Sequence, residues 1–127
     1  MTFDELYRAI KLDRIEVLKE FLDAGGDPNL KNDNDWTLLM SAAFVGRSRS
    51  VAVLLTSGAE VNFGNKFGES ALALAAAKGH LKCVEALVLA GASVAVKPGG
   101  CNLLEYLEKC ACPSQRVKDL LVSYGAV

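Results

Sequence analysis

One histidine and a group of cysteines near the C-terminus are the residues of this sequence whose types could do chemistry. Cys110 and Cys112 are separated by one residue, Cys101 precedes them, and His80 is the only histidine. Thiolates act as nucleophiles, redox groups and zinc ligands. Structural zinc sites, however, favour a paired Cys-x₂₋₄-Cys spacing and a fourth ligand, and no Ser, Cys or carboxylate stands at a recognisable catalytic spacing from His80. The sequence therefore predicts no catalytic residue, no metal and no cofactor. A thiol-based redox or metal-binding role for Cys101, Cys110, Cys112 and His80 is the alternative interpretation.

Composition and charge exclude several classes of partner. The 127 residues suffice for one domain with a core of its own. With 14 basic and 15 acidic residues the net charge is -1, so no broad positive field exists to attract nucleic acid. No apolar run approaches the ~20 residues that span a bilayer, and the N-terminus lacks the apolar segment of a signal peptide. We expect a cytoplasmic protein with reduced thiols and with neither a nucleic-acid nor a membrane partner.

The elements that must position these residues follow from an internal repeat. The segments LKEFLDAGGDPN, VAVLLTSGAEVN and VEALVLAGASVA begin at residues 18, 51 and 84, an interval of 33. Each unit reads as an Ala-rich helix, a Leu-striped helix, a glycine suited to the left-handed position after a helix, and a polar loop. The register is fixed by four glycines, which are Gly25, Gly58, Gly91 and Gly125.

This pattern resembles the ankyrin-repeat family. The best matches to the family signature are Thr37, Leu39, Ala42 and Ala43, then Gly58 to Asn62, and then Gly79, His80, Leu81, Val84 and Leu87. The Pro and His of the family's Thr-Pro-Leu-His motif are absent, and the last unit is one residue short before Asn102 and longer around residues 110–114.

The resemblance implies an all-α solenoid of stacked helix-turn-helix units with long connecting loops, in one domain spanning 1–127. We expect four repeats, at approximately 1–31, 32–64, 65–97 and 98–127, whose terminal two act as polar caps, and thus a complete small solenoid. His80 is expected to serve the turn between two helices by a local hydrogen bond. Cys83 is expected to be a thiol of the core.

The resemblance also implies where a partner would bind. In ankyrin-like arrays the loop tips and the far ends of the first helices line a concave groove. The candidate partner-binding residues are Asp33, Asn34, Trp36, Phe44 and Val45 of repeat 2, and Lys66, Phe67, Glu69 and Lys78 of repeat 3. Four of them are apolar residues that the repeat does not need for its core, and clustered aromatic surface is typical of interface centres. Packing of these side chains on each other is the competing interpretation.

We therefore predict a non-catalytic protein-protein interaction module, with Trp36 as an anchor for a protein partner. The predicted protein is a monomer when free. Binding would make it a stoichiometric inhibitor, such as an immunity protein, or a small adaptor.

Overall fold

The computed structural model describes residues 1–110 and 114–126 and consists of helices joined by turns and loops. The helices are α1 Phe3–Lys11, α2 Ile15–Asp23, α3 Leu38–Val45, α4 Ser48–Thr56, α5 Ala71–Ala77, α6 Leu81–Leu89, α7 Leu103–Lys109 and α8 Gln115–Ser123. Pro98–Gly100 forms one turn of 3₁₀ helix. Within the described residues the extended pairing is limited to one isolated bridge, between Lys31 and Thr37. The predicted all-α solenoid is confirmed.

One helix pair lies within each of the four predicted repeat ranges, and polar side chains start the first helix of each pair. Thr37 and Ser70 accept hydrogen bonds from backbone N–H groups three residues further on, and Asn102 does the same for α7. Helix α1 begins earlier than the repeat register implies, because Thr2 and Glu5 form a capping box there. The division of the chain at the predicted repeat bounds stays a prediction.

The register glycines end the second helix of each pair. Their φ angles lie between 89° and 99°, the left-handed region predicted for them. At Gly58, for example, the chain turns so that the N–H of Ala59 bonds to the carbonyl of Leu54, 3.0 Å away. This closes the helix end and sends the chain back toward the next loop.

Neighbouring repeats are joined by side chains that reach the last carbonyl groups of the preceding first helix. Arg47 donates to the carbonyl oxygen of Lys11 at 2.7 Å, and Nε2 of His80 lies 3.1 Å from the carbonyl oxygen of Phe44. Both bonds span 36 residues. The prediction that His80 forms a local hydrogen bond was therefore wrong. The carbonyl group of Phe44 stands at the end of α3, where carbonyl groups lack partners within their own helix. His80 supplies one from the next repeat, which keeps its role structural.

The long loops are joined in the same periodic way. Asn29 accepts a hydrogen bond from the backbone of Glu60, and Asn62 accepts one from Ser93, both at 2.7 Å. At the loop tips the N–H of Lys66 donates to Asn34 at 3.2 Å, and 33 residues later the N–H of Gly99 donates to Phe67 at 3.0 Å. Each loop is thus fixed against the next one.

The apolar core runs continuously through the stack and includes the last helix pair. In the last pair we expect Leu104, Leu107, Leu120, Leu121 and Val122 to cover repeat 3, and of these Leu107 and Leu121 are buried. Val122 is 53% exposed, so that expectation is wrong for it, and Val117 is the α8 residue that is buried with Leu121. Cys83 is buried in α6, as predicted. None of the described helices is long and apolar enough to cross a membrane.

Candidate partner-binding groove

Trp36 is presented by a tightly bonded turn immediately before α3. The side-chain oxygen of Asn32 accepts hydrogen bonds from the N–H groups of Asn34 and Trp36, both at 3.0 Å. The backbone N–H of Asn32 in turn donates to the carbonyl oxygen of Trp36 at 3.0 Å. Asp35 takes a left-handed conformation with φ 61°, which Asp tolerates better than most residues. The turn therefore holds the indole in a defined place.

The Trp36 ring is half-buried and packs edge-on against Phe44. The ring centroids are 5.4 Å apart and the planes meet at 87°, a favourable geometry for two aromatic rings. Both rings contact the apolar core at their inner side. The competing interpretation from the sequence, packing of these side chains on each other, thus describes part of what Trp36 does.

A cleft of about 270 Å³ lies beside this aromatic pair, and we call it the aromatic cleft. It connects α1 with α3 and with the loop that precedes α3. Its lining residues are Phe3, Asp4, Tyr7, Asn32, Asn34, Trp36, Ser41 and Phe44. Three of the predicted residues, namely Asn34, Trp36 and Phe44, therefore line one concavity.

The contribution of the first repeat to this cleft escaped the sequence analysis. Phe3 and Tyr7 stack with their ring centroids 6.4 Å apart, and Asp4 lies between them in the sequence. A usable signal existed, because Phe3 stands 33 residues before Trp36 and so occupies the same repeat position.

The other predicted residues do not line the cleft. Lys78 reaches back from repeat 3 and places its Nζ 4.8 Å from the centroid of the Phe44 ring. Phe67 is 60% exposed at the tip of the next loop, beside the exposed Lys66. Asp33 is exposed and Val45 is half-buried at the end of α3, and neither lines the aromatic cleft.

Glu69 is engaged within the protein. Its Oε2 accepts a 2.6 Å hydrogen bond from the hydroxyl group of Tyr106, and its Oε1 accepts one of 3.1 Å from the side-chain amide of Asn65. Burial and this bond to the Glu69 carboxylate raise the pKa of Tyr106 well above its usual range. The phenol therefore stays a donor, and the pair links repeat 3 to α7.

The described thiols have separate environments. Burial raises the pKa of Cys83 to about 11, which makes it an unreactive thiol at neutral pH. Cys101 is half-buried and accepts a 2.9 Å hydrogen bond from Nζ of Lys109, a contact that raises the pKa of that lysine. Cys110 is exposed, and Cys112 lies outside the described residues. Among the described residues no three His, Cys, Asp or Glu side chains come together as a metal site.

The helix pairs and the long loops stacked on one another define a helical repeat protein. Its loop ends and first helices also carry side chains that are not part of the buried core. Residues 6–98 match the sequence profile described as ankyrin repeats (3 copies). The chain belongs to the ankyrin-repeat family, as its sequence predicts.

Several curated proteins share this repeat region. Glycerophosphocholine phosphodiesterase gde1 of Schizosaccharomyces pombe is 34% identical over 65% of this chain and 7% of its own length. An ankyrin repeat protein of Coxiella burnetii is 29% identical over 98% of this chain and 41% of its own length. The ankyrin repeat and KH domain-containing protein mask-1 of Caenorhabditis elegans is 34% identical over 74% of this chain and 4% of its own length. The chain thus spans less than half the length of each of these relatives.

Proposed function

We propose that this protein is a non-catalytic interaction module that holds a protein partner in the concave groove formed by its loop tips and first helices. Ankyrin repeats are protein-protein interaction modules in general, and residues 6–98 of this chain match the ankyrin-repeat profile. The observation that supports the groove is the aromatic pair of Trp36 and Phe44 at the wall of the aromatic cleft. Aromatic side chains held rigidly beside a concavity are typical anchors of protein interfaces.

Two of the side chains that could do chemistry are bonded within the fold or buried, which supports binding over catalysis. His80 is engaged with the carbonyl oxygen of Phe44, and Cys83 is buried with a raised pKa. The similarity to a phosphodiesterase covers 7% of that protein, so we do not extend its activity to this chain. The proposal is therefore that the partner is bound and left chemically unchanged.

Binding without chemistry can occlude an active site, stabilise a client or bridge two proteins. We propose the first or the last mode, that of a stoichiometric inhibitor such as an immunity protein or that of a small adaptor. We propose that the protein is a monomer when free and acts in the cytoplasm, where its thiols stay reduced. Capture of the partner from the native host, followed by mass spectrometry, decides between the two modes. A partner whose activity falls on binding is inhibited, whereas one that is joined to a second protein is bridged.

The groove is tested with Trp36→Ala and Phe44→Ala against the captured partner. Each variant is expected to weaken binding by about 2 kcal/mol or more in calorimetric titration. The edge-on ring pair contributes about 0.5–1.5 kcal/mol to the fold, so the titrations are run well below the melting temperature of each variant. Loss of stability with unchanged affinity would refute the groove proposal.

Matched controls come from the second helices. Glu16 and Lys19 of α2, and Lys82 and Glu85 of α6, are exposed. Their alanine variants are expected to bind the partner with unchanged affinity. If these variants lose binding while Trp36→Ala keeps it, the partner lies on the opposite face.

The alternative role, a thiol-based redox or metal-binding protein, is favoured by one contact, that of Lys109 with Cys101. It is tested by metal analysis of the purified protein and by thiol titration with and without reductant. Stoichiometric zinc, or one thiol that reacts much faster than the others, would support this role over the binding module.

A further inference from the structure

The lining of the aromatic cleft has a distinctive chemistry. Four of its residues are aromatic, one is a carboxylate, and among the described residues that line it none is basic. The carboxylate belongs to Asp4, an exposed residue in the first turn of α1. Within the described part of the chain Asp4 forms no ion pair. The cleft therefore offers ring faces and one carboxylate, and Arg8 and Lys11 line a neighbouring concavity together with Asp4 and Tyr7.

The rings around the cleft already attract cations from within the protein. Nζ of Lys78 lies 4.8 Å from the centroid of Phe44, and Nζ of Lys11 lies 5.4 Å from that of Tyr7. Such distances are those of a cation attracted by the negative face of an aromatic ring. Both lysines are exposed, so either can give way to a cation that enters from a partner.

We propose that the aromatic cleft takes an arginine side chain of the partner protein, with its guanidinium group against the aromatic rings and beside the Asp4 carboxylate. Arginine fits better than lysine, because its planar guanidinium group stacks on rings and pairs with a carboxylate through two parallel hydrogen bonds. The cleft volume of about 270 Å³ suits one side chain, since small-molecule sites start at roughly 300 Å³. This inference rests on the function proposed above, because it names the group that the partner inserts.

The proposal is tested first with blocked pentapeptides that differ only in the central residue, which is arginine, citrulline, lysine or glutamate. Citrulline has the shape of arginine without its charge. Fluorescence of Trp36 reports binding at this site, because it is the only tryptophan of the chain. The arginine peptide is expected to saturate the signal with a dissociation constant near the millimolar range, and the citrulline peptide to bind at least tenfold more weakly. Equal binding of the citrulline or lysine peptide, or no saturation by the arginine peptide at tens of millimolar, would overturn the proposal.

Two variants test the role of charge in the cleft. Asp4→Asn is expected to weaken the arginine peptide about threefold or more and to leave the citrulline peptide unchanged. Glu16→Gln, a change in the first turn of α2, is the matched control for the helix-dipole effect and should change neither. Lys78→Met is expected to strengthen the arginine peptide, because a competing cation leaves the Phe44 ring. Weaker or unchanged binding to Lys78→Met would contradict a cationic occupant.

The captured partner separates this inference from the function on which it rests. Asp4→Lys is expected to reduce affinity for the partner at least tenfold, with a melting temperature close to that of the wild type. If Asp4→Lys binds normally while Trp36→Ala does not, the groove binds the partner and the arginine assignment is wrong. If neither variant loses affinity, both proposals are wrong.

Discussion

His80 of repeat 3 packs against Gly46 of repeat 2, so a substitution at Gly46 can measure the free energy of the hydrogen bond between His80 and Phe44. Gly46 ends α3 with φ 86° and ψ 26°, a left-handed conformation. An added Cβ at this position would stand 2.7 Å from two atoms of the His80 imidazole, closer than carbon atoms pack. The imidazole cannot simply rotate away, since its Nε2 is bonded to the carbonyl oxygen of Phe44. Gly46→Ala therefore has to displace His80.

The expected loss of stability in Gly46→Ala has two parts, a backbone cost and the loss of the His80 hydrogen bond. Substitution of a second glycine, Gly58, measures the backbone cost alone. Any residue with a Cβ loses roughly 1–2 kcal/mol in the left-handed region. Gly58 has the similar φ of 93° and no heavy atom within 4 Å of an added Cβ, so Gly58→Ala carries only this backbone cost. Gly46→Ala also loses the hydrogen bond of His80, worth about 1 kcal/mol. We expect Gly46→Ala to destabilise the fold by about 2–3 kcal/mol.

A double-mutant cycle with His80→Ala checks the second part. In the His80→Ala background the clash and the bond are both gone, so Gly46→Ala should cost about 1 kcal/mol less than it does in the wild type. The assay is equilibrium unfolding in urea, followed by circular dichroism and by Trp36 fluorescence to verify that the repeats unfold together. If Gly46→Ala and Gly58→Ala cost the same, or the cycle shows no coupling, His80 does not join the repeats as described.

Three further predictions concern the loops, the core thiol and the last helix pair. Asn62→Ala should destabilise the fold by about 0.5–1.5 kcal/mol, because the backbone N–H of Ser93 loses its 2.7 Å acceptor. Urea unfolding measures this, and a change below ~0.3 kcal/mol would contradict the role of the loop bond. The pKa of Cys83 is raised from 9.0 to about 11, so above pH 9 the unfolded chain loses this proton first and stability falls with rising pH. The stability advantage of the wild type over Cys83→Ala should therefore shrink by about 2 kcal/mol in all between pH 9 and 11, because one pKa unit corresponds to about 1.4 kcal/mol only where the proton is bound in one state and lost in the other; a constant difference would refute this. Deletion of residues 101–127 should uncover the sides of α5 and α6 that contact α7 and α8, lowering the melting temperature and causing self-association visible by light scattering; a monomer with unchanged melting would contradict it.

The sequence predicts the helical architecture well because the repeat imposes the same local demands at each interval. A glycine after the second helix, such as Gly58 or Gly91, takes a left-handed conformation that other residues resist. Short polar residues at the start of the first helix, such as Thr37 and Ser70, satisfy free N–H groups. These are local interactions, so the residue type and its spacing are sufficient to infer them.

Contacts between repeats are harder to predict. The 33-residue period shows which positions are equivalent, but it does not show which side chain of the neighbouring repeat each position contacts. The bond of His80 to Phe44 joins different elements, so the sequence did not reveal it. The same holds for Glu69, predicted as a partner-binding residue, whose carboxylate is engaged by Tyr106 across 37 residues. The fourth unit adds a further difficulty, since its altered spacing shifts the equivalence by one residue.

One repeat position shows how a binding surface can vary while the fold is kept. Phe3, Trp36, Glu69 and Cys101 occupy equivalent places around the start of the first helix of successive repeats. Their partners differ, since Trp36 packs on Phe44 while Cys101 accepts a hydrogen bond from Lys109, yet both partners stand eight residues further on. In these two repeats the local geometry brings the same two positions together although the residues differ. The core places no fixed demand on their chemistry, so the sequence of this row can change from aromatic at the N-terminal end to polar at the C-terminal end. A partner bound along this row would contact aromatic side chains at one end and polar side chains at the other. The two orientations of the partner would therefore differ in binding energy.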